Sequence, residues 1–166
     1  MRMHRPRRGR CSGCRVTHVL LHVLLAARRA DTAEVIAAAV EAKVAAGSGH
    51  RKIAASLGRP ATMVRGWLRA FAACADRIVE RFTALVLRDA PDAVAVWPAP
   101  TDSGPRAALS ALLAYAAALG RRFGTVGTMT WVRPGIAASN GRLFCASFWA
   151  ATVQHEPALP AGVLRR

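Results

Sequence analysis

Cys11 and Cys14 flank Ser12 and Gly13, the spacing at which two thiolates can seat on one zinc ion. Zinc wants four ligands in a tetrahedron, and a Cys-x-x-Cys turn supplies two of them. No second pair lies before Cys11. His18 and His22 are four apart and would share one helical face, so they are candidates to complete a set. Only three residues separate Cys14 from His18, against about 12 in a zinc finger. Cys11 and Cys14 are therefore read as an incomplete metal site. Zinc is the cofactor they would take, and two reduced cysteines without metal are the competing reading. A redox role would need a strand–helix pattern after the pair, and none follows. Cys74 and Cys145 are expected to be buried as small apolar residues.

The carboxylates do not form a catalytic pattern. Metal-dependent strand-transfer chemistry needs three acids on a mixed sheet, and the region after residue 72 reads as helices and loops. Asp76 and Glu80 have the spacing of helix-surface charges, and Asp92 and Asp102 flank prolines. Gly124-Thr125-Val126-Gly127 is too short for a phosphate-cradling loop and lacks its lysine. No enzyme is expected, and no catalytic residue is assigned.

The arginines do form a pattern. The 166 residues hold 24 bases and 9 acids, a formal charge of +15. Such a surplus concentrates polyanions at the surface and points to nucleic acid as partner. A high-GC coding bias explains arginine over lysine (Lys43 and Lys52 are the two lysines) better than it explains the shortage of acids. The distribution is uneven. Residues 1–30 carry eight arginines and no acid, and residues 42–75 carry Lys43, Arg51, Lys52, Arg59, Arg65 and Arg69, again with no acid.

These bases must be held by helices. Asp31 followed by Glu34 resembles a capping box, and Val35, Ile36, Val40 and Val44 recur at near-helical spacing until Gly47-Ser48-Gly49. A short helix over 50–57 places Ile53 and Leu57 inward, and Gly58 turns the chain. Pro60 suits the start of the next helix, 61–71, with Val64, Trp67, Leu68 and Phe71 on one side. Two short helices that cross steeply need a small residue in the first, a glycine at the turn and apolar residues at the contact. Ala54, Gly58, and Ile53 and Leu57 against Val64 and Trp67 meet those needs. The expected element is a helix-turn-helix at about residues 49–71. Arg59, after the turn glycine, departs from the apolar residue more usual there.

In that frame the second helix enters the major groove with Ala61, Thr62, Met63, Arg65, Gly66 and Arg69 exposed. Arg65 and Arg69 lie on one face, and arginine is the commonest reader of guanine. Thr62 and Met63 would meet a thymine methyl or a phosphate. Arg51, Lys52 and Arg59 would sit nearer the backbone and add affinity without sequence information.

The order of features resembles bacterial transposase-related, mobile-element-associated helix-turn-helix proteins over about residues 10–90. Arg10-Cys11-Ser12-Gly13-Cys14-Arg15-Val16-Thr17-His18-Val19-Leu20-Leu21 is similar to the end of their zinc ribbon. Gly49-His50-Arg51-Lys52-Ile53-Ala54-Ala55-Ser56-Leu57-Gly58-Arg59-Pro60, with Val64-Arg65-Gly66-Trp67-Leu68 after it, is similar to their helix-turn-helix. The resemblance implies DNA binding and zinc held by two cysteine pairs, of which this chain carries one.

The rest of the chain is organised around these parts. Residues 1–30 read as a basic arm with the partial ribbon, and 31–90 as the DNA-binding domain. Residues 91–105, with four prolines, read as a linker. Residues 106–166 read as a helical segment and a loop-rich tail. Ile78, Val79, Phe82, Leu85 and Val86 extend a helical pattern to Pro91, either as a separate helix or as a continuation of the one before. Pro105 opens another helix that Gly120 or Gly124 ends. Asn140-Gly141 is a turn signal that would join strands 136–139 and 142–148 in a hairpin. Phe144, Phe148 and Trp149 are expected in the core or at a dimer contact. The fold class is mainly α.

No apolar run reaches the roughly 20 residues of a membrane span. The basic start and the apolar stretch 19–27 partly imitate a signal peptide, but His22 and the preceding cysteine pair argue for a cytoplasmic protein without a membrane partner. A two-fold DNA site would require a homodimer, and no long heptad seam builds one. The rival functions are a non-catalytic accessory subunit that binds protein and a truncated, non-functional fragment.

Overall fold

The computed structural model describes residues 7–20, 25–26, 31–92, 94–98, 101, 103–124 and 130–151. The protein is mainly α. The described elements are β1 (Arg7–Arg10), β2 (Thr17–Leu20), α1 (Ala33–Ala46), α2 (His50–Leu57), α3 (Ala61–Ala73), α4 (Ala75–Asp89), α5 (Gly104–Phe123), α6 (Val132–Ala138) and α7 (Ala146–Ala151). A 3-10 turn spans Val94–Val96.

α1 is the central helix. It packs on α2, α3, α5 and α6, so it is apolar on several sides rather than along one stripe. Ala33, Ala37 and Ala39 are buried with Ile36 and Val40, and these small side chains let neighbouring helices approach closely. The expected Asp31 cap is not what starts it. Thr32 occupies the cap position without a side-chain hydrogen bond, and the Asp31 carboxylate turns to Arg59 instead. α1 ends at Gly47, whose φ of 63° is the left-handed conformation a side chain would oppose.

The long helical pattern after Trp67 divides in two. Cys74 breaks it at φ −107°, ψ 2°, between α3 and α4. α4 then lies beside α5 in parallel. Gly104 sits against Ala75 at the start of the pair, and the Phe82 ring meets the Tyr115 ring edge-on at 5.5 Å in the middle. Arg122 reaches Asp89 at the end, 3.5 Å away. A parallel pair obliges the proline-containing connection to run back along the helices, about 22 Å for α4. The expected linker is thus a return strap, and its 3-10 turn rests on α5.

Two other expectations are corrected. Arg7–Arg10, expected within a basic arm without a strand, pairs antiparallel with Thr17–Leu20, Arg7 opposite Leu20 and Arg10 opposite Thr17. The hairpin over 136–148 is instead α6, a turn and α7. Asn140 and Gly141 do adopt positive φ, 50° and 77°, but they close a helix. The Gly141 N–H donates to the Ile136 carbonyl at 2.8 Å, and the Asn140 N–H to Ala137. The Ser139 hydroxyl donates to the Gly135 carbonyl at 2.7 Å. A left-handed Asn-Gly pair serves a helix stop as well as a hairpin turn, and the preceding residues settle which.

Gly135 marks the tightest contact of α6. A Cβ there would lie 3.0 Å from the Leu143 Cδ2 and 3.2 Å from the Leu112 Cδ2, and both leucines are buried. Gly135→Ala gains about 1 kcal/mol of helix propensity and meets an overpacking cost of about 1–3 kcal/mol. The expected net is a loss of up to about 2 kcal/mol, read as a lower urea midpoint with an unchanged slope.

Candidate nucleic-acid interface

α2 and α3 are joined by a turn that is built locally. Gly58 takes φ 61°, its N–H donates to Ala55, and the Arg59 N–H donates to Ala54 at 3.0 Å. That closes α2 in two bonds and sends the chain into α3 at Pro60. Ile53 and Ala54 of α2 and Val64, Trp67 and Phe71 of α3 are buried, while Leu57 and Leu68 are half-buried. The two-helix unit therefore has the expected apolar contact, and α1 packs on both of its helices.

The outer face of α3 presents Thr62, Met63, Arg65, Gly66 and Arg69 to solvent, with Ala61 half-buried at its start. Among the described residues, neither Arg65 nor Arg69 takes part in an ion pair. Arg51 and Lys52 are exposed in the first turn of α2. Arg59 is placed differently. Its Nε donates to the Asp31 carboxylate at 2.5 Å, with the side chains 30% and 9% exposed. It ties the turn to the start of α1, so its charge is largely answered inside the protein. No local signal in the sequence could have shown this, because the partners are 28 residues apart.

The charges of α2 run against its dipole. α1 and α4 each carry an acid in the first turn and a base in the last, Glu34 with Lys43 and Asp76 with Arg88. That order complements the positive N-terminus and negative C-terminus of a helix. α2 has no acid in its first turn; His50, Arg51 and Lys52 occupy it. Each base there opposes the dipole by about 0.3–1 kcal/mol. An anion at that end would reverse the sign.

Lys43, His50 and Arg106 stand near the same region, and the site assignment from sequence did not include them. Arg106 Nη2 donates to the Val44 carbonyl at the end of α1, 3.4 Å away. The acid-free window in the sequence already contained Lys43, which was its one usable signal.

Cys11 and Cys14 lie exposed on the turn between β1 and β2. The turn is closed by the Cys11 N–H to Val16 and the Arg15 N–H to Cys11. The Cys14 N–H and thiol and the Gly13 N–H hydrogen-bond the Cys11 sulfur and hold its pKa below the ordinary thiol value. His18 falls in β2 opposite Gly9, and His22 lies outside the described residues. Among the described residues no group of three or more His, Cys, Asp or Glu side chains is placed to hold a metal. They supply two of the four ligands that zinc needs. Cys74 is buried as expected, and Cys145 is partly exposed.

The two thiol environments predict an order of alkylation. Burial pushes Cys74 above the ordinary thiol value, with a further push from Cys145. A lowered pKa keeps thiolate populated as pH falls through the usual thiol range, and a raised one empties it sooner. In a pH 7 iodoacetamide time course read by mass spectrometry, Cys11 is expected to label first and Cys74 last. Equal rates would contradict the hydrogen-bonded turn.

None of the described helices is long and apolar enough to cross a membrane. No protein-family model, no curated protein and no solved structure matches the chain.

Proposed function

We propose that this protein binds double-stranded DNA in a sequence-dependent way through α2 and α3, as a non-catalytic component of a transposition-related or regulatory system. The observation that carries the reading is the inverted charge of α2 beside the exposed Arg65 and Arg69 of α3. Bases that oppose their own helix dipole are stabilised by an anion at the helix end. A row of phosphates is such an anion, and it fits a chain of charge +15. α3 then lies where its guanidinium groups meet base edges, with Thr62 and Met63 at the groove wall.

The test is binding to random-sequence duplex DNA across a salt series. Four cations at the interface, Arg51, Lys52, Arg65 and Arg69, give an expected slope of log affinity against log salt of about −2 to −4. Arg51→Ala and Lys52→Ala should each make that slope shallower by about one without changing sequence preference. A chain that shows no binding at low salt is not a DNA-binding protein, and the protein-interaction reading of the same two helices would replace this one.

A further inference from the structure

A cleft of about 310 Å³ opens between α1, the start of α2, the side of α3 and the start of α5. Val44, Leu68 and Pro105 line it with partly exposed apolar side chains, while Val40 and Phe71 beside them belong to the buried core. Lys43, His50, Arg65 and Arg69 also line it, and Lys43, Arg65 and Arg69 are exposed. Among the described residues none of these three is in an ion pair, whereas Arg59, Arg88 and Arg122 all are. The nearest acid on α1, Glu41, accepts the Trp131 indole N–H at 2.5 Å and is engaged elsewhere.

Contact with DNA explains Arg65 and Arg69 and leaves the apolar wall unexplained. Phosphates are recognised by charge and N–H groups, and nothing in that recognition calls for Val44, Leu68 and Pro105 around an open space. Small-molecule sites have such a composition, mostly apolar with a few convergent polar groups, and begin at about 300 Å³. A volume at that lower bound admits a short chain or one or two rings, not a protein helix. Four basic side chains with no acid among them select a negative head group.

We propose that this cleft binds a small amphiphilic anion, an organic acid with an apolar body against Val44, Leu68 and Pro105 and its head among Lys43, His50, Arg65 and Arg69. Arg65 and Arg69 are then shared between this ligand and DNA. That coupling rests on the DNA-binding reading; occupancy of the cleft does not. Where both hold, the acid weakens DNA binding and DNA weakens acid binding by the same factor.

Calorimetric titration of the full chain without DNA tests the site, using decanoate below its micelle concentration, with butyrate and decyltrimethylammonium as comparisons. Decanoate is expected to bind at least about tenfold more tightly than butyrate, because each buried methylene contributes about 0.8 kcal/mol. The cation is expected not to bind. Ala72→Trp, at an exposed position on the cleft wall, should abolish binding, and Lys43→Glu should weaken it about tenfold. Lys43 lies off the recognition helix, so its variant keeps the test meaningful if the tryptophan disturbs folding. Equal affinity for decanoate and butyrate, binding of the cation, or undiminished binding by both variants would overturn the site. Decanoate that binds in the cleft but leaves DNA affinity unchanged would overturn the shared use of Arg65 and Arg69. A chain that binds decanoate and no DNA would retain the cleft site and refute the DNA reading alone.

Discussion

Replacing Arg65 and Arg69 together with alanine is expected to lower affinity for a selected DNA site by roughly 30-fold to 10⁴-fold and to erase preference at the bases they meet. A bidentate arginine–guanine pair discriminates by about 1–3 kcal/mol, and two such pairs add because they address different bases. Both guanidinium groups are exposed on α3. Neither is paired to an acid among the described residues, so no described carboxylate competes for them. Folding should be almost unaffected, since exposed substitutions away from special features stay within about 0.5 kcal/mol. The charge-matched control is Arg88→Ala with Arg122→Ala. Those two arginines are already bound to Asp89, at 2.8 and 3.5 Å, at the far end of α4 and α5. If the control pair lowers affinity as much as the α3 pair, bulk charge rather than the recognition helix carries the binding. If the α3 pair binds a selected site like wild type, α3 does not face DNA.

The largest effect on stability is expected from Phe82→Ala. The Phe82 side chain is fully buried at 0% exposure, and its ring packs edge-on against Tyr115 at 63°. Removing a buried phenylalanine costs about 3–5 kcal/mol, part of it for the cavity left behind. A domain has only about 5–15 kcal/mol in total, so the loss is a large share of it. At about 2–4 °C per kcal/mol for a chain of this size, the melting temperature should fall by about 6–20 °C. Leu87→Ala on the same helix is the contrast. Leu87 is 44% exposed and should change stability by less than about 1 kcal/mol. Equal effects at the two positions would mean that α4 does not present Phe82 to α5.

The glycine-closed helix ends were legible in the sequence because the signals that set them are local. Gly47, Gly58 and Gly124 all adopt φ near 60° at helix ends, and glycine reaches that conformation without steric cost. The helical spacing of Ile53, Val64, Trp67 and Phe71 placed them inward, and all four are buried. Each of these features depends on hydrogen bonds and contacts a few residues long. The outward positions of Thr62, Met63, Arg65 and Arg69 followed from the same periodicity.

What remained hidden depends on partners far along the chain. Asp31 has the local character of a helix cap, yet a guanidinium 28 residues away takes its carboxylate. Asn140-Gly141 has the composition of a hairpin turn, but the buried face of Val132, Pro134 and Ile136 makes the preceding segment a helix that the pair then closes. The parallel setting of α4 and α5 was equally out of reach, because a proline-rich connection fits a return strap as readily as a spacer. So was the cleft, whose walls come from four helices. By itself the sequence determined the helical stretches up to residue 124, their principal inward residues and the basic two-helix unit, because backbone hydrogen bonding and side-chain periodicity are short-range. Only the tertiary structure decided which charges are answered within the protein and which stay open to a partner. That distinction requires distances between residues that the chain separates and the fold brings together.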